Sequence, residues 1–411
     1  MKAEGFVTRV RCNRAVPDIG SSRVSAAALP LLSPQPLVVL GAARVPALVI
    51  TGLRPEPHTC FGPRGAALLG RDGPLWVCDT GHHRLLGWRR LPERDGAPAD
   101  WVIGQPSFAE EGRNGRGPVH AGSVNVPTGI TRFGDSGLAV ADPWNHRVLL
   151  WNEAPRADGV PADIVLGQPD FGASEPNRGH PLPAADSLFW PYGVTWSDGC
   201  LFVADAENRR VLMWRGRPER NGQPADLVLG QARFDRRDEN GGGAPDAASM
   251  RWPHGICVWG GRLCVSDAGN NRIMVYSGLP RACGEAAQFL IGQSHALNVD
   301  HNQSSYWPRA ATLNMPYGIT AAGDWLLCAD TANSRLLGFH MSDLATGMSA
   351  RALTGQDDFQ RKGDNRWQPA AADSVCWPYG IDAHVGEPGS LTRVVVADSG
   401  NNRVSVWELG V

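Results

Sequence analysis

The sequence predicts an all-β chain closed into a ring of six four-stranded antiparallel blades, a six-bladed β-propeller. Three observations predict it. One pattern of residues recurs six times at a nearly constant period. Each copy is a series of short Val/Ile/Leu/Trp-rich runs bounded by Gly, Asp and Pro, the mark of short strands. The strand count balances only if the two ends of the chain share a sheet.

The period is read from six aspartates: Asp79, Asp142, Asp205, Asp267, Asp330 and Asp398. Successive differences are 63, 63, 62, 63 and 68. Three residues past each Asp stands His82, Asn145, Asn208, Asn270, Asn333 or Asn401. Two further on stands Arg84, Arg147, Arg210, Arg272, Arg335 or Arg403, and nine past each Asp comes an aromatic residue, from Trp88 to Trp407. A fixed period of this kind signals a solenoid, propeller or array.

Taken in order, residues 1–35 do not match the repeat and read as an N-terminal arm, and 36–411 as the propeller. The run 36–41 reads like the last strand of a unit; 47–52 is the competing candidate, and spacing favours 36–41 as the closing strand. Six units then open near Pro63, Pro127, Pro191, Pro253, Pro316 and Pro378. In the second unit the four strands fall at 129–132, 138–142, 147–151 and 163–167, an antiparallel meander forming one blade. The sixth unit ends at Val411 after three strands, so the orphan run near the N-terminus supplies its fourth. Such closure removes open sheet edges. Between blades runs a long segment carrying Asn114, Asn177, Asn240, Asn302 and Asn365. Its regular recurrence points to packing rather than to binding.

Composition agrees with this class. Glycine, 49 of 411 residues, suits a turn-rich chain. Lys+Arg 39 against Asp+Glu 41 leaves −2, which provides no electrostatic footprint for nucleic acid or anionic membrane. The nine cysteines form no CxxC or CxxH pair, so no zinc finger is expected. Cys78 and Cys328 stand where other copies have Val and read as small buried hydrophobes; Cys257 and Cys264 flank Gly260-Gly261 and face each other across a hairpin. No apolar window is long enough for a membrane span, the N-terminus is a poor secretory signal, and a cytoplasmic, monomeric protein is expected.

The pattern Pro-x-Gly-Val, strand, Ala-Asp, x-x-Asn-x-Arg-Val resembles the NHL-repeat family over residues 63–411. The Leu-Gly-Gln-Pro-Asp-Phe ending at 166–171 is similar to an extended bacterial form of that repeat. The resemblance implies six blades, and it implies that the residue inside Pro-x-Gly begins the innermost strand, at the mouth of the central channel.

The invariant Asp and Arg read as structural: a turn in which Asp and Asn bond backbone N–H groups and Arg pairs with Asp. Function is sought where the copies disagree. The residue inside Pro-x-Gly is Arg64, Thr128, Tyr192, His254, Tyr317 and Tyr379, including three of only five tyrosines. These six form the candidate ligand-binding ring, suited by its Tyr, Arg and His to an anionic or peptide-like ligand. The opposing reading is a plug of tyrosines. NHL propellers resembling this chain include a peptide-amidating lyase, which the resemblance would endow with zinc held by three His. Only His254 lies on the ring, so no metal and no cofactor is expected. No Gly-x-Ser-x-Gly elbow, P-loop or His-Glu-x-x-His occurs, and no catalytic residue is assigned. Trp190, Trp252 and Trp377, each before a Pro, are expected to pack between blades.

The expected function is a non-catalytic scaffold that recognises a protein, peptide or small polar ligand at the channel mouth. The first alternative is a lyase or hydrolase acting in the channel, and the second is RNA binding, which the charge balance does not favour. An enzyme should show clustered ionisable groups of displaced pKa at the mouth, and a scaffold should not.

Overall fold

In the computed structural model, residues 28–42, 54–386 and 390–411 are described. Six sheets stand around an axis. Blade 3 is typical: Pro191–Ser197, Cys200–Asp205, Arg210–Arg215 and Leu227–Leu229 pair as an antiparallel meander. Blade 6 is built from Pro378–His384, Arg393–Asp398 and Arg403–Glu408, and Val38–Leu40 pairs antiparallel with the last of these. The strand from the N-terminal side therefore completes the final blade. The competing run 47–52 lies outside the described residues.

The arm is also more structured than its lack of repeat suggests. Leu29–Pro30 adds a fifth, parallel strand to blade 5, beside Ala352–Thr354. Leu31 and Leu32 are buried, and Leu32 bridges to Leu409 of blade 6. The segment thus staples blades 5 and 6 through apolar side chains. Residues 1–27 lie outside the described residues.

The core lies between adjacent sheets, where Val, Leu, Ile and Trp of neighbouring blades interdigitate. Cys78 and Cys328 are fully buried among these side chains, and Cys257 stands opposite Cys264 as a free thiol pair.

Each blade is locked to the loops before and after it by one buried polar unit. In blade 3 Asp205 accepts from Arg210 Nε at 2.7 Å, from Asn208 at 2.7 Å and from the Phe189 N–H at 2.7 Å. The remaining Arg210 nitrogens donate to the carbonyls of Phe234, Ala184 and Ser187. Asn208 in turn pairs with Asn177 of the inter-blade loop. The recurring loops are therefore packing elements, folded around an arginine. The same Arg–Asp contact of 2.7–3.0 Å is made in all six blades, with both side chains buried. In blade 1 His82 takes the place of Asn and contacts Asp79 through Nδ1 at 2.8 Å.

The inner strands close on one another through glycine. A Cβ on Gly193 would lie 1.9 Å from the His254 carbonyl oxygen, and one on Gly65 would lie 2.0 Å from that of Thr128. Gly129 meets Tyr192, Gly255 meets Tyr317, Gly318 meets Tyr379, and Gly380 meets Arg64 in the same way. The contacts run right round the axis. Only a residue without a side chain permits this approach, and it brings the six residues inside Pro-x-Gly into one narrow circle.

Candidate active site in the central channel

The Pro-x-Gly segments of blades 3 to 6 carry a register irregularity, at 191–194, 253–256, 316–319 and 378–380. Such a bulge re-aims a side chain out of the sheet. Tyr192, His254, Tyr317 and Tyr379 turn in this way toward the axis, where they line a cavity of about 280 Å³ together with Arg64. Thr128 does not join them. Its hydroxyl donates to the Tyr192 carbonyl at 2.8 Å, so its polar group is spent on holding two blades together. The sequence-derived ring of six is thus a site of five.

The rings touch in sequence. His254 stacks on Tyr317 with centroids 4.3 Å apart, Tyr192 lies 4.1 Å from His254, and Tyr379 lies 4.7 Å from Tyr317. The Arg64 guanidinium covers the Tyr379 ring at 4.7 Å, a cation–π contact. The aromatic rings narrow the mouth, and Arg64 and Tyr379 are partly exposed beside it.

His254 is held in one tautomer. Its Nδ1 lies 3.0 Å from the Trp252 carbonyl, which can only accept, so Nδ1 carries the proton and Nε2 keeps its lone pair. Burial pulls the imidazole down to about 3, and the charge of Arg64 adds to this, so the ring is neutral at physiological pH. Burial pushes the Tyr192 and Tyr317 phenols up, with Arg64 opposing it at both. Tyr379 is raised by burial in the same way. The Tyr192 hydroxyl is buried with no well-formed hydrogen bond, although Arg64 lies against it. Arg64 is itself raised, chiefly by Tyr192. Five ionisable groups with displaced pKa values therefore share one cavity wall.

Further along the same cavity stand residues that motif reasoning missed: Asp382, His384 and Arg132. Asp382 accepts the Leu68 N–H at 3.0 Å, bonding blade 6 to blade 1 across the closure. Burial raises its carboxyl, while the Leu68 and Ala383 N–H groups and Arg132 oppose the shift. His384 is lowered by burial and then by Arg132, Arg71 and Arg393. Their signal was present: four and six residues past the opening Pro, blade 6 alone has Asp and His.

Trp190 and Trp252 are not buried between blades as expected. Their rings face each other at 6.0 Å, Trp252 sets its edge on His254, and Trp377 is exposed. The buried indoles are others, such as Trp88, Trp151 and Trp214, whose N–H groups bond turn carbonyls. Among the described residues, no group of three or more His, Cys, Asp or Glu side chains converges in a way that could hold a metal ion. No helix is long and apolar enough to cross a membrane among them.

Comparison with known proteins adds three findings. The NHL repeat model matches residues 250–276. No curated protein matches the chain in sequence. Solved structures similar to it include a streptogramin B lyase, 13% identical over 88% of this chain and 96% of that one, TM-score 0.43. The virginiamycin B lyase from Staphylococcus aureus is 11% identical over 85% and 95%, TM-score 0.41. The gluconolactonase from Xanthomonas campestris is 12% identical over 94% and 100%, TM-score 0.47. At these identities the likeness concerns the fold alone.

The expectation of a non-catalytic scaffold is corrected. The mark set for an enzyme, clustered groups of displaced pKa at the mouth, is present. Arg, Tyr and His are expected together from the sequence as a ligand-binding ring; what the bulges and glycine contacts add is burial of that ring as one wall, which displaces the pKa values. The chain is thus a six-bladed β-propeller in which one NHL repeat, residues 250–276 of blade 4, is matched by a family model.

Proposed function

We propose that the chain is an enzyme of the lyase or hydrolase class that acts in its central channel, by acid–base chemistry of its own side chains on a small polar substrate. The observation that supports this is His254: one nitrogen tied to a carbonyl, the other a bare lone pair in a cavity wall. That is how a general base is oriented. Its Nε2 takes a proton from a substrate carbon or an attacking water. The Tyr192 hydroxyl, buried without a sound partner, donates its proton to the departing oxygen. Arg64 stabilises the negative charge that develops between them, in a site dry enough to strengthen the interaction. Burial is the main cause of the low imidazole pKa and Arg64 a lesser one, so an anion bound on Arg64 relieves part of the shift. A reducing cytoplasm suits the free thiols of Cys257 and Cys264.

The test is turnover. Small lactones, esters and β-substituted acids are incubated with the protein and the products followed by mass spectrometry. Conversion is expected, with a loss of about 10²-fold or more in His254→Gln, the range of a general base. Conversion that survives both His254→Gln and Tyr192→Phe, or no conversion across the panel, overturns the reading.

A further inference from the structure

We infer that Arg64 is an anion receptor, and that the substrate of the channel is a small planar carboxylic acid whose carboxylate seats on it. The inference rests on the channel reading above and deepens it. Among the described residues, no Asp or Glu forms an ion pair with Arg64. The groups acting on its charge are the three phenols of Tyr192, Tyr379 and Tyr317. The one carboxylate of the cavity wall, Asp382, is acted on by Arg132 and does not appear among the groups acting on Arg64.

The contrast with the rest of the molecule makes this informative. Six other arginines are buried, and every one of them has an Asp within 3.0 Å. A half-buried cation left without a counter-charge is costly, and such a group persists where a ligand supplies the partner. A guanidinium offers a planar fork matched to a carboxylate, two parallel N–H···O bonds. Around that fork the wall is aromatic: Tyr379 lies under Arg64, and Tyr317 and His254 follow as a stack. A flat ring attached to the carboxylate continues that stack at the offset spacings aromatic pairs prefer. Phosphate fits less well. A dianion calls for several cations or backbone N–H groups, and the other arginine of the wall, Arg132, acts on Asp382 and His384. The cavity of about 280 Å³ admits a small acid.

The probes are benzoate, its neutral isostere benzamide, and inorganic phosphate, each titrated into the full chain by calorimetry. Benzoate is expected to bind at least tenfold more tightly than benzamide and than phosphate, with at least a tenfold loss in Arg64→Met and partial retention in Arg64→Lys. Equal binding of benzoate and benzamide overturns the anion receptor, as does unchanged benzoate affinity in Arg64→Met. Phosphate binding in preference to benzoate overturns the carboxylate assignment, and no binding by any probe overturns both. The wild-type comparison needs no variant to fold. His254→Gln separates this inference from the catalytic reading: it should lose turnover while the preference for benzoate over benzamide, which Arg64 sets, persists. Turnover unaffected by His254→Gln with benzoate still selected by Arg64 would refute the chemistry and leave the receptor standing.

Discussion

Arg210 and Arg64 carry the same guanidinium in blades of the same design, under opposite conditions. Arg210 is fully buried and fully satisfied, by one carboxylate and three carbonyls. Arg64 is half-exposed over a tyrosine ring and, among the described residues, pairs with no carboxylate. The first belongs to a set of six copies, identical because each does the same mechanical work at a blade-to-loop joint. The second belongs to a ring whose six copies hold four different residues. The difference teaches that in a propeller sameness marks what holds the ring together, and departure from sameness marks where chemistry is placed.

That contrast can be broken at its stronger end first. Arg210→Met leaves Asp205 buried with its counter-charge gone and three loop carbonyls unpaired. The expected loss is about 3–5 kcal/mol of unfolding free energy, read from urea titration. A loss under about 1 kcal/mol would remove the structural reading of the clamp.

The second prediction concerns pH. His254 titrates near 6.5 when unfolded and near 3 when folded, so below pH 6.5 the unfolded chain takes up a proton that the native one refuses. Stability from this group is whole above pH 6.5 and is lost as pH falls toward 3. The slope is about 1.4 kcal/mol per pH unit, or about 2 kcal/mol by pH 5. His254→Gln should lose that slope, and parallel pH profiles for the two proteins would show that the imidazole is not held neutral.

The smallest effect is the sharpest contrast with Arg210. Because the Tyr192 hydroxyl has no sound partner, Tyr192→Phe should shift stability by no more than about 0.5 kcal/mol, and toward greater stability if at all, while turnover falls. Destabilisation of about 2 kcal/mol would make the hydroxyl structural.

Much of this was legible beforehand. Asp205, Asn208 and Arg210 declare their turn by spacing alone, since side chains three and five residues apart in a strand-turn-strand meet at one point. The channel ring was readable as positions, because the Pro-x-Gly glycines mark a place where backbones crowd. What escaped was direction. Thr128 and Tyr192 occupy equivalent positions, yet one turns into a blade joint and the other into the cavity. Asp382 and His384 lack any motif, and their place in the same cavity depends on where strands of blades 1 and 6, more than 300 residues apart, meet. Trp252 could have packed between blades or capped His254, and nothing local distinguishes the two.

By itself the sequence determined the architecture: the period, the four-strand unit, the clamp at every joint and the missing strand at the end. These are local patterns repeated, and repetition multiplies a weak signal until it decides. The tertiary structure alone decided which side chains share the channel, which tautomer His254 adopts and that Arg64 pairs with no Asp or Glu among the described residues. Those properties are differences between copies, set by closure of the ring, and no single repeat contains them.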